Sequence, residues 1–286
     1  MTDNDFAFLR RFLMERSGLA LSSEKRYLVD SRLLPLCRHR QIASITALVE
    51  RLKSQRDADI ERAVIEAMMT NETFFFRDRR PFELLREYAL PKLLEARAAS
   101  RRLRIWCAAA SSGQEPYSIC MVLKSMEQQL AGWNVELLAT DLAVDIIDKA
   151  KAGLYTQFEV QRGLPIQPLL KHFTQVGDMW QITEELRAMV QFRTLNLLRD
   201  FSSLGTFDII LCRNVLIYFE PSRKSDVLQR LAARLAEDGL LFLGAAETVI
   251  GLTDTFLPHP EHQGMYVLNR KRAPALPQSK LTARAG

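Results

Sequence analysis

Glycine is scarce where a dinucleotide-binding chain would concentrate it. The protein has 12 glycines in 286 residues, and none lies between Gly18 and Gly113. The apolar run Arg104 to Ala110 leads through Ser111-Ser112 into a turn whose one glycine is Gly113. The Gly-x-Gly-x-x-Gly pattern that brings backbone amides against a pyrophosphate is therefore absent, and a ligand at this turn is expected to carry no phosphates. Long apolar runs are missing too, since none approaches the roughly 20 residues that cross a bilayer. Asp3 and Asp5 precede Arg10 and Arg11, which is not the order of a signal peptide. Cys37, Cys107, Cys120 and Cys212 are scattered without metal-type spacing. They read as reduced, buried small hydrophobes, so a cytoplasmic protein is expected. His39, His172, His259 and His262 fall away from the polar clusters described below, and no metal site is expected.

Apolar periodicity divides the chain. Phe6, Leu9 and Leu13, then Leu28, Leu33, Leu34 and Leu36, then Ile60, Val64, Ile65 and Met68 recur at helical spacing. They predict a small all-helical domain over residues 1–78. Pro35 predicts a kink or stop in the second of these helices. From Pro81 onward strands and helices alternate, the signature of a doubly wound, mostly parallel α/β sheet, over residues 79–270. Strands are expected at Leu103 to Ala108, Val135 to Thr140, Val190 to Leu195, Phe207 to Cys212, Leu240 to Gly244 and Met265 to Leu268. Helices are expected at Pro116 to Leu130, Val144 to Ala152 and Pro221 to Ala236, the last ending at Gly239. Residues 157–189 break the alternation. There Phe173 to Val176, Gly177-Asp178 and Met179 to Ile182 read as a two-residue hairpin within an inserted antiparallel β-subdomain. Residues 271–286, with two prolines and no apolar cluster, are expected to be a disordered tail.

Ligands of open α/β sheets bind at the carboxyl ends of the strands. Asp141, at the tip of the second strand, can accept hydrogen bonds from both ribose hydroxyls, and Glu115 supplies a second carboxylate. A sulfonium cofactor with a ribose and a free amino group, S-adenosylmethionine, suits such a rim. Either acid alone could equally be a helix-start residue favoured by the helix dipole. Arg213 and Asn214 follow the strand ending at Cys212, and Asn196 and Leu197 follow the preceding one. Asn71, Thr73 and Arg77 lie in the aromatic stretch Thr70 to Asp78 that joins the two domains, where clefts preferentially form. Its phenylalanines could also serve only to glue the domains together. Between Glu24 and Arg40 the chain carries Lys25, Arg26, Arg32, Arg38 and Arg40 against two acids, a basic face for an acidic partner or merely a solvated one.

Asn71-Glu72-Thr73 with Arg77, Ala110 to Ser118, Ala139-Thr140-Asp141 and Cys212 to Phe219 together resemble the CheR family of chemotaxis receptor glutamate methyltransferases. The resemblance is ordered along residues 1 to about 270. It implies a class I methyltransferase-like sheet and S-adenosylmethionine-dependent methylation of glutamates on cytoplasmic chemoreceptor helices, with S-adenosylhomocysteine as product. It places Asn71, Thr73, Arg77, Gly113, Glu115, Asp141, Asn196, Leu197, Arg213 and Asn214 around the cofactor. Arg77 and Tyr218 are the candidates for orienting the acceptor. Arg26, Arg32, Arg38 and Arg40 would dock the acidic receptor bundle, and the β-subdomain could take a short C-terminal receptor peptide. A monomer suffices for this scheme, with no nucleic acid and no membrane insertion. Two other readings stand beside it: a nucleic-acid methyltransferase, and a non-catalytic signalling adaptor that binds the cofactor. Against the first, the segment after Cys212 lacks the proline-aromatic pair that stacks a flipped base.

Overall fold

The computed structural model describes residues 1–54 and 57–272, so most of the expected disordered tail lies outside the described residues. Four helices come first, α1 (Asp3–Ser17), α2 (Arg26–His39), α3 (Ile45–Ser54) and α4 (Ala58–Met68). Thr2 caps α1 in a capping box with Asp5, and Gly18 ends it in the left-handed region. Their apolar stripes close on one another in a core that includes Leu9, Leu13, Leu33, Leu48 and Val64.

α2 does not stop at Pro35 but continues to His39. Leu33 and Cys37, buried on either side of the proline, hold the helix against its neighbours, and this packing offsets the single missing hydrogen bond.

Helix α5 (Arg80–Leu84), a π turn (Leu85–Ala89) and α6 (Leu90–Ala96) lead into β1 (Arg102–Ala108). There follow α7 (Gln114–Ser125), β2 (Asn134–Asp141), α8 (Val144–Ala152), β3 (Leu154–Thr156), α9 (Gln157–Gln161) and α10 (Ile166–His172). The hairpin β4 (Phe173–Val176) and β5 (Met179–Ile182) precedes α11 (Glu184–Ala188), β6 (Val190–Thr194) and β7 (Phe207–Cys212). The last elements of the described residues are α12 (Pro221–Ala232), β8 (Leu235–Leu243), β9 (Phe256–Pro258) and β10 (Met265–Leu268).

The main sheet has the order β6-β2-β1-β7-β8-β10-β9. Its first five strands are parallel, and β10 pairs antiparallel with β8 and β9. The strand period distributes side chains to two cores: Ile105 and Cys107 of β1 face one, Trp106 and Ala108 the other. The order turns outward from β1 to β2 on one side and to β7 on the other, the switch point at which such sheets bind ligands.

The expected helix ending at Gly239 is shorter than its pattern suggested. α12 stops at Ala232, and Gly239 lies inside β8. A Cβ there would come 2.9 Å from the Asp208 carbonyl oxygen, so this glycine serves strand contact rather than a helix end.

β3, β5 and β4 form a separate antiparallel sheet. The hairpin falls where the sequence places it, while β3 precedes the irregular segment. Phe75 and Phe76 pack into the core of the sheet domain and not into that of the helical domain. Phe75 meets Tyr155 and Phe173 edge-on at 5.1 and 5.5 Å, fastening the interdomain stretch to the β-subdomain. Gly163 makes this contact possible, since a Cβ at its φ of +87° would sit 2.2 Å from the Phe75 carbonyl oxygen.

Gly163→Ala is therefore expected to lower the unfolding free energy by about 2–4 kcal/mol. Gly177→Ala, also at positive φ but with nothing within 4 Å, is expected to lose only about 1–2 kcal/mol. Urea unfolding of the two variants tests the difference, and equal losses would show that the Phe75 contact is not limiting.

Candidate functional site

The turn after β1 is built from backbone conformations that most residues avoid. Ala109, Ser111 and Gly113 have φ of 62°, 50° and 94°. Asn214, after β7, has φ 59°, and Phe76, Asp78 and Arg79 in the interdomain stretch have 52°, 68° and 47°. Left-handed non-glycine residues are costly singly, and Ala109, Ser111 and Asn214 meet at one cleft at the carboxyl ends of β1, β2, β6 and β7.

Tertiary hydrogen bonds hold them there. The Ala110 amide donates to the Thr140 carbonyl at 2.9 Å, and the Ser111 hydroxyl donates to the Asn71 carbonyl at 3.0 Å. Tyr155 donates to the Ser112 carbonyl at 2.8 Å, and the Phe76 amide donates to the Ser118 hydroxyl at 2.9 Å.

Arg213 is the charged centre of one wall, with a side chain 1% exposed. Its Nη1 donates to Glu115 Oε2 at 2.6 Å, and its Nη2 donates to Asp78 Oδ2 at 2.7 Å and to the Arg77 carbonyl at 2.9 Å. It thus joins β7, α7 and the interdomain stretch. Burial pushes the Glu115 carboxyl up, and the Arg213 charge pulls it the other way.

Asp141 sits 7% exposed at the end of β2. Its Oδ2 accepts the Ser111 amide at 2.8 Å and its Oδ1 accepts the Ala143 amide at 3.2 Å. Burial raises its pKa, opposed by these backbone hydrogen bonds. A carboxylate has about four acceptor positions, so a ligand with two hydroxyls can still be accommodated.

Of the residues expected at the site, Asn71, Thr73, Arg77, Glu115, Asp141, Asn196, Leu197, Arg213, Asn214 and Tyr218 line this one cleft. Gly113 does not. Its left-handed φ begins α7, and a Cβ would press on Ala150, Tyr117 and Tyr155 at 3.0–3.1 Å, so the position is needed for the turn. Asn196 is half-buried, but its side-chain amide is engaged: Nδ2 donates to the Arg16 carbonyl at 2.7 Å and Oδ1 accepts the Leu198 amide at 2.9 Å. It therefore ties α1 to the sheet while lining the cleft.

Leu142, Leu195, Leu197, Val215 and Phe219 supply apolar walls. This donor set fits a ribose-bearing sulfonium better than a phosphate, because both Nη groups of Arg213 are taken by Glu115, Asp78 and the Arg77 carbonyl, and Arg77 is the other arginine of the lining. Among the described residues no cluster of histidine, cysteine, aspartate and glutamate could hold a metal ion, and no helix is long and apolar enough to cross a membrane.

The arginines of the basic helix divide by their contacts. Arg26 pairs with Asp3 and donates to the Met1 carbonyl at 2.6 Å. Arg32 donates to the Met68 carbonyl at 2.5 Å and to Thr70 Oγ1 at 3.1 Å. Both bond within the helical domain, because open carbonyls at a helix end and an acid at a helix start attract nearby guanidinium groups. Arg38 and Arg40 are exposed.

Two residues of consequence were not singled out from the sequence. Asp78 ends the interdomain stretch Thr70 to Asp78, and its role depends on Arg213 reaching back 135 positions. Glu72 borders the cleft and pairs with Arg162 of the β-subdomain. An acid beside a motif residue was the available signal for each.

Comparison with known proteins agrees with this architecture. Residues 4–69 match the CheR methyltransferase all-alpha domain, and residues 71–264 match the CheR methyltransferase SAM binding domain. The chain is 43% identical to chemotaxis protein methyltransferase 1 of Pseudomonas aeruginosa over 88% of its length and 93% of that protein's. It is 40% identical to chemotaxis protein methyltransferase 1 of Vibrio cholerae over 90% and 93% of the two chains. A chemotaxis protein methyltransferase of Borreliella burgdorferi is 32% identical over 88% and 90%. With both domain models matched in order and the motif residues gathered at the ends of its parallel strands, the chain belongs to the CheR family of S-adenosylmethionine-dependent methyltransferases.

Proposed function

We propose that this protein methylates glutamate side-chain carboxylates on the cytoplasmic signalling helices of chemoreceptors, with S-adenosylmethionine bound in the cleft between its two domains. The observation that supports this reading most is that four motifs far apart in the chain supply the walls of a single cleft. The relatives, named for chemotaxis, give the nucleic-acid and adaptor readings no comparable support.

Asp141 would accept the ribose hydroxyls, Glu115 would face the amino-acid portion, and Leu197 would pack against the adenine. The bound cofactor supplies a methyl group activated on a sulfonium. A glutamate carboxylate, with an ordinary pKa of about 4.3, is already ionised near neutrality, so the acceptor needs no general base. Its oxygen attacks in line with the methyl carbon–sulfur bond, and the bonding pair leaves on sulfur as a neutral thioether. Opposite charges cancel as this proceeds, and a cleft that excludes water favours it.

Arg77 is half-buried at the cleft, with Nη1 donating to the Glu72 carbonyl at 2.8 Å and its guanidinium 5.6 Å from the Phe74 ring. This leaves donors free to orient the acceptor without a rigid clamp that would weaken the nucleophile. Tyr218 borders the same opening. Arg38 and Arg40 would meet the acidic receptor bundle. Among the described residues β4 is an edge strand of the small sheet, where an extended receptor peptide would add.

The decisive test is a transfer assay with methyl-labelled S-adenosylmethionine and an isolated chemoreceptor signalling bundle. Label released as methanol by mild base, and lost when the bundle's acceptor glutamates become alanine, is expected. Base-stable label would overturn carboxyl methylation.

In the same assay Arg77→Ala is expected to lower kcat by about 10–100-fold with a smaller change in S-adenosylhomocysteine affinity. An unchanged kcat would remove Arg77 from acceptor orientation.

A pH dependence follows from Asp141. Its raised pKa means that the folded chain favours the protonated carboxyl, so the burial penalty is present at neutral pH and is relieved as pH falls through that pKa. Ligand affinity runs the opposite way, because only the ionised form can accept from both hydroxyls. Calorimetric affinity for S-adenosylhomocysteine is expected to fall with decreasing pH from a point above the ordinary aspartate range. Asp141→Asn is expected to bind weakly and to flatten that dependence, and a persisting profile would assign it to another group.

A further inference from the structure

Glu247 lies after β8, outside the cleft lining, yet it collects more backbone amides than any acid of the site. Oε2 accepts the amides of Asn214 and Gly244, each at 2.7 Å. Oε1 accepts those of Val215 at 2.9 Å and Ile217 at 3.2 Å. The residue is 9% exposed, and among the described residues no lysine or arginine makes an ion pair with it. Its own backbone is anchored as well, with its amide donating to the Gly244 carbonyl at 2.9 Å and Tyr266 Oη donating to its carbonyl at 3.3 Å.

Three of the four donors belong to one short segment, the loop from Asn214 to Ile217. That segment opens the loop after β7, Arg213 to Phe219, which supplies the cleft with Asn214, Val215, Tyr218 and Phe219. Asn214 takes φ 59°, and its neighbours enter the 3₁₀ turn Leu216–Tyr218. A left-handed asparagine followed at once by a helical turn points successive amides toward one side, where a carboxylate can gather them. Charge-assisted bonds of this kind are roughly twice as strong as neutral ones, and they hold the loop in a conformation that its own residues do not favour.

Gly244 completes the fit from beneath. A Cβ there would lie 2.6 Å from Asn214 Nδ2 and 2.8 Å from Glu247 Oε2. The Tyr218 carbonyl in turn accepts the Ala20 amide at 2.9 Å, so the loop is also the floor on which the helical domain rests.

We infer that Glu247 is a positioning residue for methyl transfer, setting through four backbone amides the loop that places Asn214 and Tyr218 in the cleft. The inference rests on the function proposed above for that cleft. Glutamine at 247 keeps the size of the side chain but has one carbonyl oxygen, and its amide group must face donors that it cannot satisfy. Acceptor docking on the basic helix is untouched by such a change.

The test uses the full-length Glu247→Gln chain, with S-adenosylhomocysteine titrated by calorimetry and methyl transfer to the receptor bundle measured well below the melting temperature. An affinity loss of at least about tenfold, a similar loss in kcat and an unchanged KM for the bundle are expected, because a buried amide left without an acceptor costs about that factor or more. Gly244→Ala, which pushes Asn214 and Glu247 apart without removing the charge, is expected to give the same pattern in milder form. It takes the place of the first variant if that chain does not fold.

A lowered melting temperature with affinity and kcat within about twofold of the parent would overturn the inference. Failure of both variants to fold would do the same, by showing a role in stability alone. The calorimetric arm needs no methyl acceptor. A parent chain that binds S-adenosylhomocysteine but methylates no receptor bundle would therefore defeat the acceptor assignment and leave the Glu247 result to be read on its own.

Discussion

A guanidinium removed from water holds this cleft together. Arg213 has three acceptors within hydrogen-bonding distance, the carboxylates of Glu115 and Asp78 and the carbonyl of Arg77, while its Nε is buried without a partner among the described residues. A buried cation with two carboxylates is poor value as a source of stability, since an apolar cluster of the same volume would often do as well. What it supplies is position. The fork fixes the first turn of α7 relative to the end of β7, and it fixes the interdomain stretch relative to both. Withdrawing one partner would strand a charge in the interior, at a cost of about 3–5 kcal/mol, so the three segments cannot drift independently.

The same logic explains why the cleft is lined by so much strained backbone. Ala109, Ser111, Asn214, Phe76, Asp78 and Arg79 adopt left-handed angles without being glycine, and Ser111, Asn214, Phe76 and Asp78 are each tied by a bond to a distant segment. Ser111 is held from both sides, its amide by Asp141 and its hydroxyl by the Asn71 carbonyl. Local preference at these positions is overruled by tertiary contacts, and the reward is a concave surface of amides and carboxylates that no regular helix or strand presents.

Much of this was legible in the sequence, and the boundary of legibility has a physical cause. Strand positions such as Phe207–Cys212 and Met265–Leu268, and the hairpin around Gly177-Asp178, follow from period and turn chemistry, which are local. The acids and polar residues at strand ends were legible for the same reason, since the end of a strand is a place that the pattern itself marks.

Gly239 was misleading because a glycine after a helical stripe resembles a helix end, whereas its use depends on the Asp208 carbonyl in the neighbouring strand. Pro35 does not stop its helix, because the cost of a proline is local and the packing that outweighs it is not. Arg26 and Arg32 belonged to a basic stretch by composition, but charge counts do not reveal which guanidinium groups find acceptors inside their own domain. The bond from Asn196 to the Arg16 carbonyl and the crowding at Gly113 were not legible, because a side chain's partner is fixed by the fold and not by its neighbours in the chain.

The helical domain earns its place through main-chain contacts, which no residue pattern announces. The Ala20 amide meets the Tyr218 carbonyl, the Arg16 carbonyl meets Asn196, and Glu66 accepts the Val144 amide at the start of α8 at 2.8 Å. Gly18 lets the end of α1 approach Phe219, where a Cβ would come within 2.9 Å of the ring. Each of these contacts falls on the loop after β7, the loop after β6 or the one after β2, the segments that also form the cleft. Arg32 of α2 holds the carbonyls of Met68 and Met69 and the hydroxyl of Thr70, immediately before Asn71 enters the lining. The basic helix and the mouth of the cleft are thus joined by one side chain and a few residues of backbone. In the function proposed above, a partner that grips Arg38 and Arg40 would be held on the helix whose Arg32 fixes the backbone leading into Asn71.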